Sequence, residues 1–269
     1  MIIGVDTGGT KTLVAVFDND GNLQKKQKFL TPRDIPTYIE QVSSTIQSLV
    51  VDRSEIIGIG IAVPGLVKDQ VVVVCKNLGW RNIDMIGRLS SYFPEVPMWL
   101  ENDANLGGLG AYRLLPTPPK RLLYITLSTG VNISLIIDGE ISQDISSAEA
   151  GDMLLEHKGE LKTWEELASG GAILSEYGVY ASEVAEPGQI KDISERIARG
   201  MMVLLPILRP DIVAVGGGVG AHFDMYAPSI EDQLALINED YRCPVDVAPY
   251  PEEVVAYGCY FYAKNHLGL

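Results

Sequence analysis

The chain opens with two apolar, β-branched runs, residues 2–5 and 13–17, on either side of a polar segment at residues 6–12. Apolar runs bounded by glycines and turn residues are typical of paired strands. A second turn signal at residues 18–22, Asp-Asn-Asp-Gly-Asn, leads into a third run at about residues 23–29. The pattern predicts a three-stranded meander with a polar turn at the mouth of the first two strands.

Helical spacing follows this meander. Asp34 and Pro36 precede apolar residues at three- and four-residue intervals, which predicts a helix that begins there and packs one face on the core. Residues 56–63 and 71–74 have the composition of strands, and 84–92 that of a helix. A strand at residues 98–100 ends at the segment Glu101-Asn102-Asp103-Ala104-Asn105, where a further helix is expected.

The second half of the chain repeats the opening pattern. Residues 114–120 contain three prolines and predict a link between domains 1–115 and 116–269. A strand at 122–127, the turn Ser128-Thr129-Gly130 and a strand at 131–137 then match the first hairpin. The matched order predicts a duplicated unit, and a chance likeness of two hairpins is the alternative.

Three further elements complete the pattern. Residues 192–208 predict a long helix, and residues 211–215 a strand that ends in Gly216-Gly217-Gly218. Glycines between a strand and a helix let a flat ligand lie against bare backbone. A last strand at 246–250 is followed by a helix from Pro251 to about Lys264, with acidic residues in its first turn.

Composition narrows the functional classes. The 269 residues are 46% hydrophobic and 21% charged, as expected of a globular protein, and no apolar run is long enough to span a bilayer. The first strand has no basic, signal-like prefix before it, so a cytoplasmic protein without a membrane partner is expected. A formal net charge of −14 argues against nucleic-acid binding. The three cysteines are scattered, which predicts reduced thiols and no cysteine-based zinc site.

Candidate chemistry begins in the first polar turn. Glycines there allow close approach of the backbone, and successive N–H groups of such a turn suit phosphate oxygens. Asp6, at the strand end, has the carboxylate that a hydrated Mg²⁺ prefers when it also binds substrate phosphates. The alternative is an ordinary hairpin turn.

The order of motifs resembles the ROK family of sugar kinases and repressors, within the actin, Hsp70 and hexokinase superfamily. The resemblance spans nearly the whole chain and is carried by Asp6 with its glycine-rich turn, Ile61-Ala62-Val63-Pro64-Gly65, Asn77-Leu78-Gly79-Trp80, Glu101-Asn102-Asp103-Ala104-Asn105, the hairpin at Ser128 and Val215-Gly216-Gly217-Gly218. It implies an α/β protein of two ribonuclease-H-like domains, the actin-like ATPase and hexokinase fold, with an interdomain active-site cleft for ATP, Mg²⁺ and a sugar.

The resemblance also implies residue roles. Asp103 matches the general base that takes the proton of the sugar hydroxyl, and its alternative role is the N-cap of the helix that starts there. Gly65 and Asn102 would contact the sugar, and Asp6 would position Mg²⁺. The implied nucleotide-binding residues are Gly8, Gly9, Thr10, Lys11, Thr129 and Gly130 at the phosphates, and Gly216, Gly217 and Gly218 at the adenine and ribose.

The chain departs from the family pattern after residue 147. Glu149 and Glu165 match the family's two glutamates and are candidates for sugar contact, as is Asp152, which stands where the family has a histidine. Residues 153–163 contain no cysteine, so the family's zinc site is not expected. His157 is expected at the surface with no role, and Glu166 as a helix-capping residue. Asn132 and Ser134 replace family glycines, where side chains would narrow the second phosphate turn.

The resemblance implies an ATP-dependent kinase acting on the 6-hydroxyl of a hexose, with glucose or an N-acetylhexosamine such as N-acetylmannosamine as substrate. The alternatives are a sugar-sensing regulator without a DNA-binding domain and an actin-like polymer. A homodimer is a further expectation from the resemblance.

Overall fold

The N-terminal meander builds one edge of the first sheet. In the computed structural model, which describes residues 1–269, it forms β1 (Ile2–Thr7), β2 (Lys11–Phe17) and β3 (Leu23–Leu30), paired antiparallel in that order. The Asp18 carboxylate accepts the N–H groups of Asp20 and Asn22, at 3.0 and 2.9 Å. This Asx-type turn explains the predicted turn between β2 and β3.

The first helix also begins where the sequence predicts. Asp34 caps α1 (Ile35–Leu49) by accepting the Thr37 N–H at 3.0 Å, and Pro36 lies in the first turn. The helix buries Tyr38, Val42 and Ile46. Local capping and a regular apolar stripe were therefore sufficient to place this element.

The remaining elements of this region are β4 (Gly58–Val63), β5 (Leu66–Lys68), β6 (Val71–Cys75), β7 (Trp80–Ile83), α2 (Met85–Ser90), β8 (Met98–Asn102) and α3 (Asp103–Leu114). The first sheet has the order β3-β2-β1-β4-β8, with β1, β4 and β8 parallel. Carboxyl ends of neighbouring parallel strands meet at one sheet edge. That edge carries Asp6, Gly65 and Asp103, at or just beyond the ends of β1, β4 and β8.

A second region repeats this plan with β9 (Arg121–Leu127), β10 (Val131–Ile137), β11 (Glu140–Ile141), β12 (Leu154–His157), β13 (Glu160–Thr163), α4 (Trp164–Ala168), α5 (Gly170–Tyr177), α6 (Pro187–Leu208), β14 (Ile212–Gly216), α7 (Gly217–Gly220), α8 (Phe223–Leu234) and β15 (Val245–Val247). Its main sheet has the order β11-β10-β9-β14-β15. As in the first sheet, three antiparallel strands are followed by two parallel ones. The predicted duplication is confirmed.

The long helix α6 organises the core of this second region. It starts at Pro187, five residues before the predicted start at Asp192, because the proline supplies a favourable first turn. The fully buried Trp164 ring lies directly on Gly200, and its indole N–H donates to the Arg196 carbonyl at 3.2 Å. Any side chain at position 200 would overlap that ring.

The last helix, α9 (Val254–Leu267), corrects the predicted domain boundary. The chain divides into one unit of residues 1–113 with 253–269 and another of residues 114–252, whereas 116–269 had been expected to form one domain. The helix packs on β1 and β4, where a side chain at Gly60 would overlap the Cys259 carbonyl and one at Gly4 would lie 2.8 Å from that of Ala256. Small residues on the two strands thus determine where α9 docks.

The start of α9 also differs from the expectation. Glu253 is the N-cap, so Pro251 and Glu252 precede the helix and do not form its first turn.

None of the helices in the structure combines the length and the apolar character that crossing a membrane requires.

Candidate active site

Two carboxylates lie close together at the carboxyl edge of the first sheet. Burial, together with the negative charge of Asp103, raises the pKa of Asp6 to about 7, and Lys28 partly opposes this shift. Burial raises the pKa of Asp103 to about 6, against the hydrogen bond from the Ala104 N–H to its Oδ1 at 2.9 Å. Both side chains keep some solvent exposure. The pair is therefore poorly solvated but accessible, which favours binding a cation or a proton.

Asn102, not Asp103, caps the helix at this edge. The Asn102 Oδ1 accepts the N–H groups of Ala104 and Asn105, at 2.9 and 3.1 Å. The structural role that the sequence left open for Asp103 is thus filled by its neighbour, and that alternative is wrong. Asn102 ends β8 and caps α3, so the Asp103 carboxylate is not needed as the helix cap.

The Asn102 amide also defines the corner near Gly65. Its Nδ2 donates to the Gly65 carbonyl at 2.9 Å. Gly65 has a φ of 91°, and a side chain there would overlap the Val74 carbonyl. Only glycine fits this left-handed, crowded position. Both predicted sugar-contact residues therefore also build the corner that carries Asp103.

Glu101 belongs to the same arrangement and had been given no role from the sequence. Its Oε1 accepts the Asn102 N–H at 2.8 Å and the Asn105 side-chain amide at 3.0 Å. Glu101 lies in β8 and Asn105 in the first turn of α3, so no periodicity of a single element links the two residues in the sequence. Glu101 steadies the first turn of α3 on either side of Asp103.

The first polar turn is tight. The Gly8 N–H donates to the Lys11 carbonyl at 2.9 Å, and the Gly8 carbonyl accepts the Thr31 hydroxyl at 2.8 Å. The Gly8 N–H is thus used inside the turn, and the role of this glycine is close packing, since a Cβ would lie 2.7 Å from the Lys11 carbonyl. Thr10 and Lys11 are exposed at the tip, and Gly9 is partly exposed.

The corresponding turn of the second unit is tied to a helix. The Ser128 N–H donates to the Gly130 carbonyl at 2.9 Å, and the Ser128 carbonyl accepts the Gly170 N–H at 2.7 Å, at the start of α5. Thr129 is exposed at the tip, and Gly130 is partly exposed.

The three glycines after β14 have different surroundings. A side chain at Gly216 would overlap Tyr124, and Gly217 has a φ of 84° and packs against the Leu127 carbonyl. A Cβ at Gly218 would have no heavy atom within 4 Å. Of the three predicted nucleotide-contact residues, Gly218 therefore faces open space, whereas Gly216 and Gly217 are packed.

The two predicted sugar-contact glutamates of the second unit meet the start of β10. Glu165 Oε2 accepts the Val131 N–H at 3.0 Å. Glu149 Oε2 accepts the Asn132 Nδ2 at 3.4 Å. The structure brings these two carboxylates to consecutive residues of one strand.

Four further positions singled out in the sequence differ in their surroundings. Asp152 is exposed at the end of a short 3₁₀ turn, and its N–H donates to the Glu149 carbonyl at 3.0 Å. Glu166 forms a capping box with Thr163, which confirms its structural role. Ser134 is fully buried, and the Asn132 side chain is nine-tenths buried and bonded to its own neighbours. Neither side chain projects into solvent.

His157 was expected at the surface and is buried, with 5% of its side chain exposed. Along β12 it lies on the same inward side as Leu155. Neither ring nitrogen has a hydrogen bond, and Asp192 Oδ1 is 4.0 Å from Nε2. Burial and the nearby Arg196 guanidinium lower the pKa of His157. Arg196 is itself paired with Glu176 and Asp192.

The residues fit the groups that the resemblance implies. Asp6 is a carboxylate whose pKa is raised by burial and by a second carboxylate, and a divalent cation relieves both effects. Gly218 leaves open space beside bare backbone, as a nucleotide needs. No group of three or more histidine, cysteine, aspartate or glutamate side chains is arranged to hold a metal ion.

Comparisons with known proteins identify relatives over most of the chain. The model of the ROK family matches residues 2–255. A fructokinase from Lactococcus lactis subsp. cremoris is 25% identical over 263 residues, which cover 91% of this chain and 88% of the fructokinase. A glucokinase from Streptomyces coelicolor is 31% identical over 185 residues, 65% of this chain and 58% of that enzyme.

A solved structure shows the same fold. The ROK family glucokinase from Streptomyces griseus, in complex with glucose and AMPPNP, aligns with a TM-score of 0.82 and 23% identity, covering 98% of this chain and 99% of that one. The predicted α/β fold of two actin-like domains is confirmed. Since the family model extends over nearly the whole sequence, the chain belongs to the ROK family.

Proposed function

We propose that this protein is an ATP-dependent sugar kinase that transfers the γ-phosphoryl group to the 6-hydroxyl of a hexose. The observation that carries the proposal is the division of work between Asn102 and Asp103. Asn102 caps α3, so the Asp103 carboxylate, with a pKa of about 6, is available to act on a substrate hydroxyl.

Asp103 serves as the general base. With a pKa of about 6 it is mostly ionised at neutral pH, yet basic enough to take a proton as the hydroxyl attacks. The Asn102 cap and the Glu101 hydrogen bonds hold the first turn of α3, and the Ala104 N–H orients the Asp103 carboxylate through its Oδ1. When bound, ATP supplies the phosphoryl group, and Mg²⁺ neutralises the charge on its phosphates. Asp6 would hold that cation.

The sugar would be bound by side chains that differ in character. Glu149 and Glu165, each held to β10 through its Oε2, are the proposed contacts for sugar hydroxyls. Asn102 has a second amide hydrogen beyond the one given to Gly65, and Asp152 is exposed for contact. Glucose or an N-acetylhexosamine such as N-acetylmannosamine is the proposed substrate, and the fructokinase relative adds fructose as a competitor.

The nucleotide would be bound by backbone. Gly9, Thr10 and Lys11 at the first turn, with Gly8 shaping it, and Thr129 and Gly130 at the second are the proposed phosphate contacts. Gly218, which faces open space, is the proposed contact for the adenosine part, with Gly216 and Gly217 holding the backbone behind it.

A coupled assay of ADP release tests the proposal. Purified protein with Mg·ATP is given glucose, mannose, fructose, N-acetylglucosamine and N-acetylmannosamine in separate reactions. We expect one sugar to turn over far faster than the others. No turnover with any sugar, together with sugar-dependent thermal stabilisation, would refute the kinase and support a sugar-sensing role.

A further inference from the structure

The first residues of β10 connect two parts of the second unit. This strand begins at Val131, directly after the Ser128-Thr129-Gly130 turn. Its second residue, Asn132, is 9% exposed, so its amide must find partners within the protein.

The Asn132 amide joins three groups. Its Oδ1 accepts the N–H of Ile133 at 2.9 Å and that of Ala150 at 3.2 Å. Its Nδ2 donates to Glu149 Oε2 at 3.4 Å. The amide therefore holds both the backbone on the C-terminal side of Glu149 and the Glu149 carboxylate itself.

The residue before Asn132, Val131, anchors the other glutamate, Glu165. The Val131 N–H donates to Glu165 Oε2 at 3.0 Å. Both carboxylates are thus anchored to consecutive residues of one strand, one through a backbone group and one through a side chain. Only the Asn132 anchor can be removed by substitution, which makes it the informative position.

We propose that Asn132 is a positioning residue that holds the Glu149 carboxylate ready for a sugar hydroxyl, an inference that rests on the proposed kinase function. A glutamate side chain on a surface turn has several rotamers, and binding must select one of them. A donor that fixes one carboxylate oxygen removes part of that cost before the sugar arrives. Loss of this hydrogen bond should therefore lower the affinity for the sugar and leave the affinity for the nucleotide unchanged.

Two substitutions remove the anchor in different ways. Asn132→Asp keeps the size of the side chain and one acceptor oxygen but replaces the donor with an anionic oxygen that faces the Glu149 carboxylate. Asn132→Gly removes the side chain entirely. Ser134→Gly is the matched control, because Ser134 is two residues along on the same face of β10, is fully buried, and has no hydrogen-bond partner for its hydroxyl.

Calorimetric titration of the full chain with the preferred sugar, and the KM values for sugar and ATP, give the readouts. We expect Asn132→Asp and Asn132→Gly to raise the sugar Kd and KM about tenfold, with the KM for ATP within about twofold of wild type. Ser134→Gly should leave the sugar KM within about twofold. A general loss of structure would instead raise the KM values for sugar and ATP together. An effect common to buried positions on this face of β10 would also raise the sugar KM of Ser134→Gly.

Two results would overturn the inference. One is a sugar affinity of Asn132→Asp within twofold of wild type, and the other is an equal loss in Ser134→Gly. Measurements on the wild-type protein separate this inference from the proposed function. Absence of turnover would refute the kinase, whereas the calorimetric titration would still measure sugar affinity and so test Asn132. Absence of binding heat for every sugar of the panel would refute both.

Discussion

At the residue scale, neighbouring side chains of similar chemistry do different work. Asn102 and Asp103 are both of residue types that commonly cap helices, yet it is Asn102 that accepts the N–H groups of both Ala104 and Asn105. Asp103 accepts only the Ala104 N–H through Oδ1, and burial raises its pKa to about 6. A partly exposed carboxylate with a perturbed pKa is a candidate for catalysis.

The Asp103→Asn substitution should therefore remove the general base and leave the fold intact. We expect kcat to fall about 10²–10⁴-fold, with sugar binding largely intact, because general-base catalysis contributes on that order. The measurements are steady-state kinetics and calorimetric sugar titration. Asp84→Asn is a matched control, since Asp84 caps α2 and asparagine caps equally well. Near-native turnover of Asp103→Asn would remove Asp103 from the base role.

The pKa of Asp103 also predicts the pH dependence of activity. The base must be unprotonated, so kcat/KM should rise with pH, pass half of its maximum near pH 6 and level off above pH 7. The profile is measured at saturating Mg²⁺, because the pKa of Asp6 is about 7 without a cation. A flat profile between pH 5 and 8 would contradict the assignment.

At the element scale, glycines on the first sheet decide where α9 packs. Gly60 and Gly4 lie on parallel neighbours β4 and β1 and leave no space for a side chain beneath the helix backbone. Their small size permits a close approach that larger residues would prevent. Residues far from this helix in the sequence thus determine where it docks.

Gly60→Ala should weaken this packing. Because the new Cβ would overlap the Cys259 carbonyl, we expect the free energy of unfolding to fall by about 1–3 kcal/mol. Gly188→Ala is the control, since a Cβ there meets nothing within 4 Å, and it should be neutral or gain up to about 1 kcal/mol. Urea denaturation followed by circular dichroism measures both. Equal stability of the two variants would show that α9 adjusts without cost.

Elements with local signals were predictable, and those fixed by distant contacts were not. The Asp18 turn and the Asp34 cap are encoded within a few residues, so the meander and α1 followed directly from the sequence. The docking of α9 depends on Gly4 and Gly60, which no local pattern links to it. His157 was misplaced because a four-residue strand has too short an alternation to show which face is buried.

The sequence suggested the residue types of the candidate site but not the hydrogen bonds between them. Asp103 and the glutamates were proposed from motif order, whereas the choice of Asn102 as the cap depends on the three-dimensional structure, because asparagine and aspartate both cap helices well. The inward direction of Asn132 likewise depends on the position of Glu149, seventeen residues away.

At the scale of the whole molecule, direct protein contacts hold the β12–β13 hairpin. Arg199 donates to the Glu156 carbonyl at 2.9 Å, and Lys158 pairs with Asp192 at 2.9 Å. The nearby Arg196 is almost fully buried and paired with two carboxylates. Removing one partner of such a buried group is costly, so this network resists local opening.

We predict that the protein contains no stoichiometric zinc. The hairpin and its flanks, residues 153–163, have no cysteine, and ordinary hydrogen bonds and ion pairs attach it. Elemental analysis of protein purified without chelator should find zinc well below one atom per chain. Treatment with EDTA should leave the Tm unchanged, with magnesium-loaded EDTA as control. A chelator-induced fall in Tm would contradict the prediction.

The docking of α9 has a consequence for synthesis on the ribosome. Residues 253–269 are translated after all of residues 114–252, yet they cover one face of the sheet that begins at residue 2. The unit encoded in the middle of the chain is therefore complete before the unit encoded first. Until its helix arrives, the nascent first sheet exposes an apolar, glycine-lined face, and this is the stage at which the growing chain most needs protection from aggregation.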